Sequence, residues 1–412
     1  MEGATTTAQW LQTIVTILGT LMVSKLVGRL SAKMNIALLS FCAASLIVLL
    51  SEGASDGSTV PSPSTSINYR LLRCLKTYFH GDMTELVLSS FASDLLKRCR
   101  QAHTPAAVLD IGANKGQELD KLMTLYTPCD RRGLRIVVME PNPLHNDNLE
   151  KVMNAHTSSI RNRTVYYNNG AGPDSAHGTA LVLHLPVGRS HERAHLIPLD
   201  SGLHSSQSPQ GVRVKVYSPR KILEEHGLSD ILLATIDTEG LDGIVLHTLL
   251  PALRESRDPL VVWELSWSWM RFTPKIAPSD VTAFLNDAGF DVFMFGRLKN
   301  KPSIPLLVKL TKDSLLHLDS TLRWECGVAL KRDQPLRQTL VPVPREVLHE
   351  EVYKVMRREE ERRRKKKKSS WCLHIDWSED HWSEKMYSQM FTFQASLERF
   401  ARGDRNWQSI KK

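Results

Sequence analysis

The chain has 412 residues, of which 42% are hydrophobic and 24% are charged, enough for a sizeable core in one or two domains. The formal net charge is +9, but much of the excess lies in one basic run over residues 362–368, so the charge does not make the whole chain a nucleic-acid binder. The six cysteines form no C-x-x-C pair and are too sparse for a disulfide framework. We therefore predict no metal or redox site.

Two apolar runs near the N-terminus predict a membrane segment. Residues 10–23 are shorter than a bilayer span, whereas residues 34–50 approach the roughly 17–25 residues that a span requires. Lys25, Arg29 and Lys33 lie between them, and such residues favour the cytosolic side. We expect residues 34–50 to be a single-pass anchor in the endomembrane system (ER or Golgi). A hairpin of both runs and a cleaved targeting segment are the alternatives.

Composition divides the chain into four segments. Residues 1–50 are the anchor or targeting segment, and residues 51–66, which are small, polar and proline-containing, form a linker. Residues 67–335 are predicted to fold as one domain with an insertion at 173–211 and a possible hairpin of residues 180–185 and 213–217. Residues 336–412 carry a charged helix and an aromatic-rich tail, which we expect to pack onto the domain or onto a partner.

The clearest motif follows the first predicted strand, which ends near Asp110. Gly112 and Gly116 come next and a helical pattern begins after them, which predicts a strand, a tight turn and a helix. A dinucleotide site needs glycine where Asn114 stands, and a phosphate loop needs Ser or Thr directly after Gly-Lys, whereas Lys115 precedes Gly116. We predict a phosphate-free nucleoside cofactor, S-adenosylmethionine. An ordinary glycine-rich turn is the alternative.

A second apolar strand, residues 134–139, ends at Glu140. An acid at this place, one strand–helix unit after a glycine turn, can accept hydrogen bonds from both hydroxyls of a ribose. Pro141 and Pro143 end the strand and stiffen the loop. We therefore predict that Glu140 holds the ribose, with a plain charged strand terminus as the alternative.

A third group of polar residues follows the apolar strand at 231–237. Asp237, Glu239 and Asp242 surround a turn glycine at the end of that strand, where ligands bind in open α/β sheets. Such carboxylates could orient a substrate hydroxyl, act as a general base or attract a sulfonium cation. The alternative is that Asp237 or Thr238 caps the helix that follows.

Four segments together resemble the FkbM-type methyltransferases: DIGANKGQ at 110–117, MEPNP at 139–143, IDTEGLD at 236–242 and WEL at 263–265. The resemblance implies an α/β class I methyltransferase fold, with a doubly wound, mostly parallel, seven-stranded, Rossmann-like sheet and helices on both faces. From the flanking segments we expect an N-terminal membrane segment and a helical C-terminal extension.

The resemblance also implies roles for individual residues. Asp110, Gly112, Asn114 and Gly116 would hold the methionine end of S-adenosylmethionine, Glu140 would hold the ribose, Asn142 would belong to the same cofactor site, and Asp237 and Glu239 would lie near the methyl group. The chain departs from the family pattern at two positions: Thr235 stands where a lysine is usual, and Asp242 where a glutamate is usual.

We expect an S-adenosylmethionine-dependent methyltransferase that methylates a hydroxyl oxygen of a small molecule, glycan or lipid. A catalytically weak membrane scaffold, which recruits a partner through its basic helix and aromatic tail, is the alternative. Residues 362–368 could contact anionic lipid, and nucleic acid is not an expected partner. The triplet Asn162-Arg163-Thr164 is a glycosylation acceptor if its side of the membrane is lumenal.

Overall fold

The computed structural model describes residues 83–102, 104–129, 133–184, 195–197, 211–265, 276–297, 305–312, 325–342, 361 and 390–393. They all belong to one of the two compact units of the chain, Pro63–Lys412. The described helices are α1 (Met83–Gln101), α2 (Gln117–Tyr126), α3 (Asn146–Ala155), α4 (Ser158–Arg161), α5 (Pro219–Glu225), α6 (Asp242–Glu255), α7 (Pro278–Asp287) and α8 (Pro335–Gln338).

Fourteen strands accompany these helices in the described part of the chain. They are β1 (Ala106–Ile111), β2 (Leu134–Met139), β3 (Thr164–Tyr167), β4 (Gly170–Ala171), β5 (Ala180–His184), β6 (His195–Ile197), β7 (Gly211–Tyr217), β8 (Asp230–Ile236), β9 (Leu260–Leu265), β10 (Phe290–Arg297), β11 (Pro305–Leu310), β12 (Glu325–Lys331), β13 (Leu340–Pro342) and β14 (Met390–Phe393). Every residue of β1 and β8 is buried, as a central parallel strand covered on both faces requires.

The main sheet is mostly parallel around β1. Strands β3, β2, β1, β8 and β9 lie side by side in that order and run parallel. Strand β12 is antiparallel to β9, and β10 is antiparallel to β12, so β10 again runs parallel to β1. This order confirms the predicted α/β fold with a large, mostly parallel sheet.

The sheet has ten strands rather than the seven that the resemblance implies. Beyond β10, strands β11, β14 and β13 extend it by antiparallel pairing. Strand β14 comes from the aromatic-rich segment near the C-terminus, so this piece of the expected helical extension is a strand instead. Its pairing joins segments far apart in sequence, which local periodicity does not encode.

The side chains of β1 alternate between two cores. Ala107, Leu109 and Ile111 face one core, to which α5, α6 and α7 contribute. Ala106 and Val108 face the other core, to which α1, α2 and α3 contribute. Helices therefore cover both faces of the sheet, and the strand ends are left for polar loops.

A second, smaller sheet has the order β4, β7, β5, β6. Strand β5 pairs antiparallel with β7, which confirms the predicted pairing of residues 180–185 with 213–217. Strand β6, from within that insertion, pairs antiparallel with the other edge of β5.

Both N-terminal apolar runs and the basic run at 362–368 lie outside the described residues. Within the part of the chain that is described, no helix has the length and apolar character to cross a bilayer. The membrane anchor therefore stays a prediction from the sequence.

Candidate active site

The loop between β1 and α2 crosses the end of β2. The backbone N–H groups of Gly112 and Ala113 donate to the carbonyl oxygen of Met139, at 2.8 and 3.2 Å. Gly112 and Gly116 have φ values of 88° and 84°, and Asn114 has a φ of 50°. All three are left-handed, a conformation that glycine adopts freely and that asparagine tolerates better than most residues.

Gly112 lies directly against the end of β8. A Cβ atom built on residue 112 would be 1.7 Å from the carbonyl oxygen of Asp237. Asp237 in turn donates its backbone N–H to the carbonyl of Ile111, at 2.8 Å. The glycine loop and the carboxylate loop, which the sequence predicts separately, are therefore in backbone contact.

Glu140 joins two loops through its buried carboxylate. Oε2 accepts the backbone N–H of Asn114 at 2.7 Å, and Oε1 accepts the backbone N–H of Asn142 at 2.8 Å. Each carboxylate oxygen can accept more than one hydrogen bond. The two loop bonds therefore hold Glu140 in place and leave acceptor capacity for a pair of ligand hydroxyls.

Asn142 is fully buried and shapes the loop after β2. Its Oδ1 accepts the backbone N–H of Leu144 at 3.1 Å, which caps the short 3-10 helix Pro143–His145. Its Nδ2 lies 3.4 Å from Nε2 of His145. Asn142 thus supports the loop from inside, whereas Leu144, in the same loop, is 54% exposed.

Asp110 is buried at the end of β1. Its Oδ1 lies 3.0 Å from the hydroxyl oxygen of Thr235, while Oδ2 is buried and has no hydrogen-bond partner among the described residues. Burial, and next the carboxylate of Glu118, raise the pKa of Asp110 to about 8. A buried carboxyl with one open oxygen is suited to receive a cationic N–H donor from a ligand.

Thr235 faces two oxygens with a single hydroxyl proton. Its Oγ1 lies 3.1 Å from the carbonyl oxygen of Leu109 and 3.0 Å from Oδ1 of Asp110. Both contacts become hydrogen bonds when Asp110 is protonated, because Asp110 then donates to Thr235 and Thr235 donates to Leu109. The lysine usual at this position would instead bring a positive charge to Asp110 and favour its ionised form.

Asp242 closes the loop that carries the other carboxylates. Its buried side chain accepts the N–H and the hydroxyl of Thr238, at 3.4 and 3.0 Å, and the N–H of Gly240 at 3.2 Å. Burial, and next the carboxylate of Asp237, raise the pKa of Asp242. Asp242 therefore binds the backbone N–H groups of the residues directly before and after Glu239.

Asp237 is exposed and Glu239 is half-buried, so both can reach a bound molecule. Glu239 has a φ of 54°, a conformation that costs a residue with a Cβ roughly 1–2 kcal/mol. The bonds from Asp242 maintain it. The alternative that Asp237 or Thr238 caps the next helix is wrong, because the N-cap residue of α6 is Leu241.

The structure thus gathers the predicted site residues at one edge of the sheet, with Asn142 buried in the loop after β2. Sequence reasoning missed the pairing of Asp110 with Thr235, the loop-closing role of Asp242 and the exposed Leu144. The register of β1 against β8 sets Asp110 beside Thr235. That register depends on two strands far apart in the chain, so neither strand alone signals it.

The region that contains this site is similar to a known family of domains. Residues 110–292 match the model of the methyltransferase FkbM domain. Comparison with curated proteins gave no significant match. Among solved structures, the chain is similar to a methyltransferase FkbM from Methylobacillus flagellatus KT, with 14% identity over 55% of this chain and 43% of that chain and a TM-score of 0.31. This chain thus spans less than half the length of the Methylobacillus protein.

Two further solved structures are similar over most of their own length. One is a putative O-methyltransferase from Klebsiella pneumoniae, with 11% identity over 70% of this chain and 96% of that chain and a TM-score of 0.31. The other is a methyltransferase from Geobacter sulfurreducens, with 10% identity over 70% of this chain and 97% of that chain and a TM-score of 0.26.

Proposed function

Since the chain contains a methyltransferase FkbM domain over residues 110–292, we propose that it transfers the methyl group of S-adenosylmethionine to a hydroxyl oxygen. The observation that carries this proposal is the packing of Gly112 on the carbonyl of Asp237. This contact sets a loop suited to a nucleoside cofactor against a loop suited to handling a hydroxyl proton.

The residues around β1 and β2 fit this cofactor. The open, buried Oδ2 of Asp110 suits the α-ammonium of the methionine end, because the ionised carboxyl then gains a cationic partner. The carboxylate of Glu140 can accept both ribose hydroxyls while it keeps its two loop amides. Leu144 offers an exposed apolar side chain in the loop after β2, against which an adenine ring can pack.

When held by Asp110 and Glu140, the cofactor would supply a methyl carbon activated by positive sulfur, together with a thioether leaving group that would keep the electron pair of the carbon–sulfur bond. The protein must align the acceptor with that carbon and remove the hydroxyl proton. Asp237 and Glu239 are our candidates for the base and for the group that orients the hydroxyl. Asp242 is a positioning residue, since it fixes the loop that carries both.

We propose a small molecule, glycan or lipid as the acceptor. The apolar run at 34–50 would hold the domain at a membrane, where lipids and glycans provide hydroxyl groups as acceptors. The basic run at 362–368 would attract an anionic headgroup to the same surface.

Methyl transfer can be tested with the full-length chain in detergent. Cofactor labelled on its methyl group is incubated with fractionated lipid, glycan and protein pools, and label is followed in each pool. We expect incorporation into one pool, and the rate of incorporation should fall by about 100-fold or more in one of the variants Asp237→Asn and Glu239→Gln, the one that removes the base. Glu255→Gln, an exposed acid at the far end of α6, is the matched control and should keep full activity.

The same assay separates the enzyme from the scaffold alternative. Cofactor binding without transfer to any pool would contradict methyl transfer and favour a scaffold. Transfer that survives the double variant Asp237→Asn/Glu239→Gln would contradict the assignment of a carboxylate base.

A further inference from the structure

A disulfide ties α1 to the segment after α2. The bond joins Cys99 to Cys129, whose Cα atoms are 6.3 Å apart, within the usual range of about 4.4–6.8 Å. Both cysteines are fully buried. The sequence did not suggest this pair, because two cysteines separated by 30 residues show no motif. Structural disulfides form and persist in oxidising compartments such as the ER lumen, and are rare in the cytosol.

A glycosylation triplet lies beside this disulfide. Asn162-Arg163-Thr164 is the only Asn-x-Ser/Thr triplet in the sequence, and it joins the end of α4 to the start of β3. The side chain of Asn162 is exposed. Arg163 is buried, and its guanidinium donates to the carbonyl oxygen of Cys129 and, at 3.0 Å, to that of Ser159. The triplet is thus anchored to a residue of the disulfide while its asparagine faces outward.

The triplet lies at the end of the sheet opposite the candidate active site. Strands β1, β2 and β3 run parallel, and Asn162 comes just before the first residue of β3. The cofactor loops follow the last residues of β1, β2 and β8, at the other end of the same strands. A glycan on Asn162 would therefore extend away from the cofactor loops and from the loop that carries Asp237 and Glu239.

We propose that Asn162 carries an asparagine-linked glycan, added in the same oxidising secretory compartment in which Cys99 and Cys129 are joined. The two modifications are chemically independent, yet both require this compartment. The predicted orientation of the anchor at 34–50, with basic residues on its N-terminal side, puts the rest of the chain in that compartment. This proposal does not depend on methyl transfer.

The glycan can be tested in the full-length chain expressed in cultured eukaryotic cells. Treatment with peptide N-glycosidase should increase the gel mobility by one discrete step. The step should disappear in Asn162→Gln and in Thr164→Val, and it should remain in Thr164→Ser, which keeps the acceptor hydroxyl. Asn154→Gln, an exposed asparagine outside any triplet, should also keep it. Because the glycan is added to the nascent chain, this readout does not require the variants to fold.

The disulfide is tested in the same material by blocking free thiols, reducing the protein and then attaching a mass tag. On reduction, the double variant Cys99→Ser/Cys129→Ser should expose two fewer tagged thiols than the wild-type chain. No glycosidase-dependent step in the wild-type chain would overturn the proposal, even with the disulfide formed. Cys99 and Cys129 blocked before reduction would also overturn it.

Discussion

Gly112 packs on Asp237 so closely that a Cβ atom on residue 112 would lie 1.7 Å from the Asp237 carbonyl oxygen. Since the obstructing atom belongs to the backbone, no side-chain rotation can relieve the clash. The contact fixes the distance between the loop after β1 and the loop after β8. In the proposed complex, the same contact also fixes the distance between the cofactor and the candidate base.

We expect Gly112→Ala to weaken cofactor binding at least tenfold, because the two loops must separate. Gly289→Ala is the matched control, since Gly289 has a similar φ of 89° but nothing within 4 Å of its added Cβ. The control should lose only the roughly 1–2 kcal/mol of a left-handed residue with a Cβ and should bind normally. Urea unfolding and calorimetry on both variants measure the two effects. Equal binding by both variants would contradict a role for this contact in the site.

Cofactor binding should release a proton. The pKa of Asp110 is raised to about 8, so the free protein holds the proton at pH 7. A bound α-ammonium favours the ionised carboxyl, so the affinity should rise by up to about tenfold per pH unit from pH 6 towards pH 8. Titration calorimetry at pH 7 in buffers of different ionisation enthalpy should show about one proton released per cofactor. Proton release close to zero in the wild-type chain would contradict the assigned role of Asp110.

Thr235→Lys provides the matched test, because it restores the cation that the resemblance leads one to expect beside Asp110. The ammonium should lower the pKa of Asp110, and both the proton release and the acid limb of the affinity profile should then diminish. An unchanged profile in a folded Thr235→Lys protein would show that another group controls the pH dependence.

Asp110→Asn should stabilise the ligand-free protein while it abolishes cofactor binding. The pKa of Asp110 is higher in the fold than its ordinary value of 3.8, so the ionised group opposes folding. This effect is absent below about pH 4, grows as the pH rises and is complete above about pH 8. The variant should therefore gain on the order of 1–3 kcal/mol at pH 8 and nothing at pH 4, measured by urea unfolding. A loss of stability at pH 8 would contradict the burial argument.

Reduction of the disulfide should lower the stability by about 3–4 kcal/mol, as expected for a cross-link that closes a loop with a sequence separation of 30 residues. Urea unfolding of the full-length chain with and without a reductant measures this change. The double variant Cys99→Ser/Cys129→Ser should already have the lower stability, and the reductant should lower its stability by about 3–4 kcal/mol less than that of the wild-type chain. A wild-type chain that responds no more than the double variant would show that the bond does not form.

The sequence alone predicted the elements whose signal is local. Buried strands that end at Asp110, Glu140 and Asp237 combine an apolar run with a polar terminus, and Gly112 and Gly116 mark a turn that few other residues can form. These features were sufficient to predict the mostly parallel sheet and the site residues in the loops that follow its strands.

Features that depend on contacts between distant segments were not predictable in this way. The strand β14, the Cys99–Cys129 disulfide and the pairing of Asp110 with Thr235 each join residues from separate parts of the chain. The sequence marks Asp242 as one of the carboxylates after the strand and as a departure from the family pattern, but it does not indicate what the side chain binds. Its role in closing the loop becomes clear when its carboxylate is seen to accept the N–H groups of Thr238 and Gly240.

Glu140 and its two loops form the proposed cofactor site, and titration calorimetry of S-adenosylmethionine into the full-length chain is the decisive measurement of that role. We predict one-site binding by the wild-type chain and by Glu150→Gln, an exposed acid on α3. Glu140→Gln should weaken binding at least tenfold, because each carboxylate oxygen accepts a backbone N–H and the amide NH2 would face one of these donors. Absence of binding to the wild-type chain would contradict this role, and so would an affinity of Glu140→Gln equal to that of the wild-type chain.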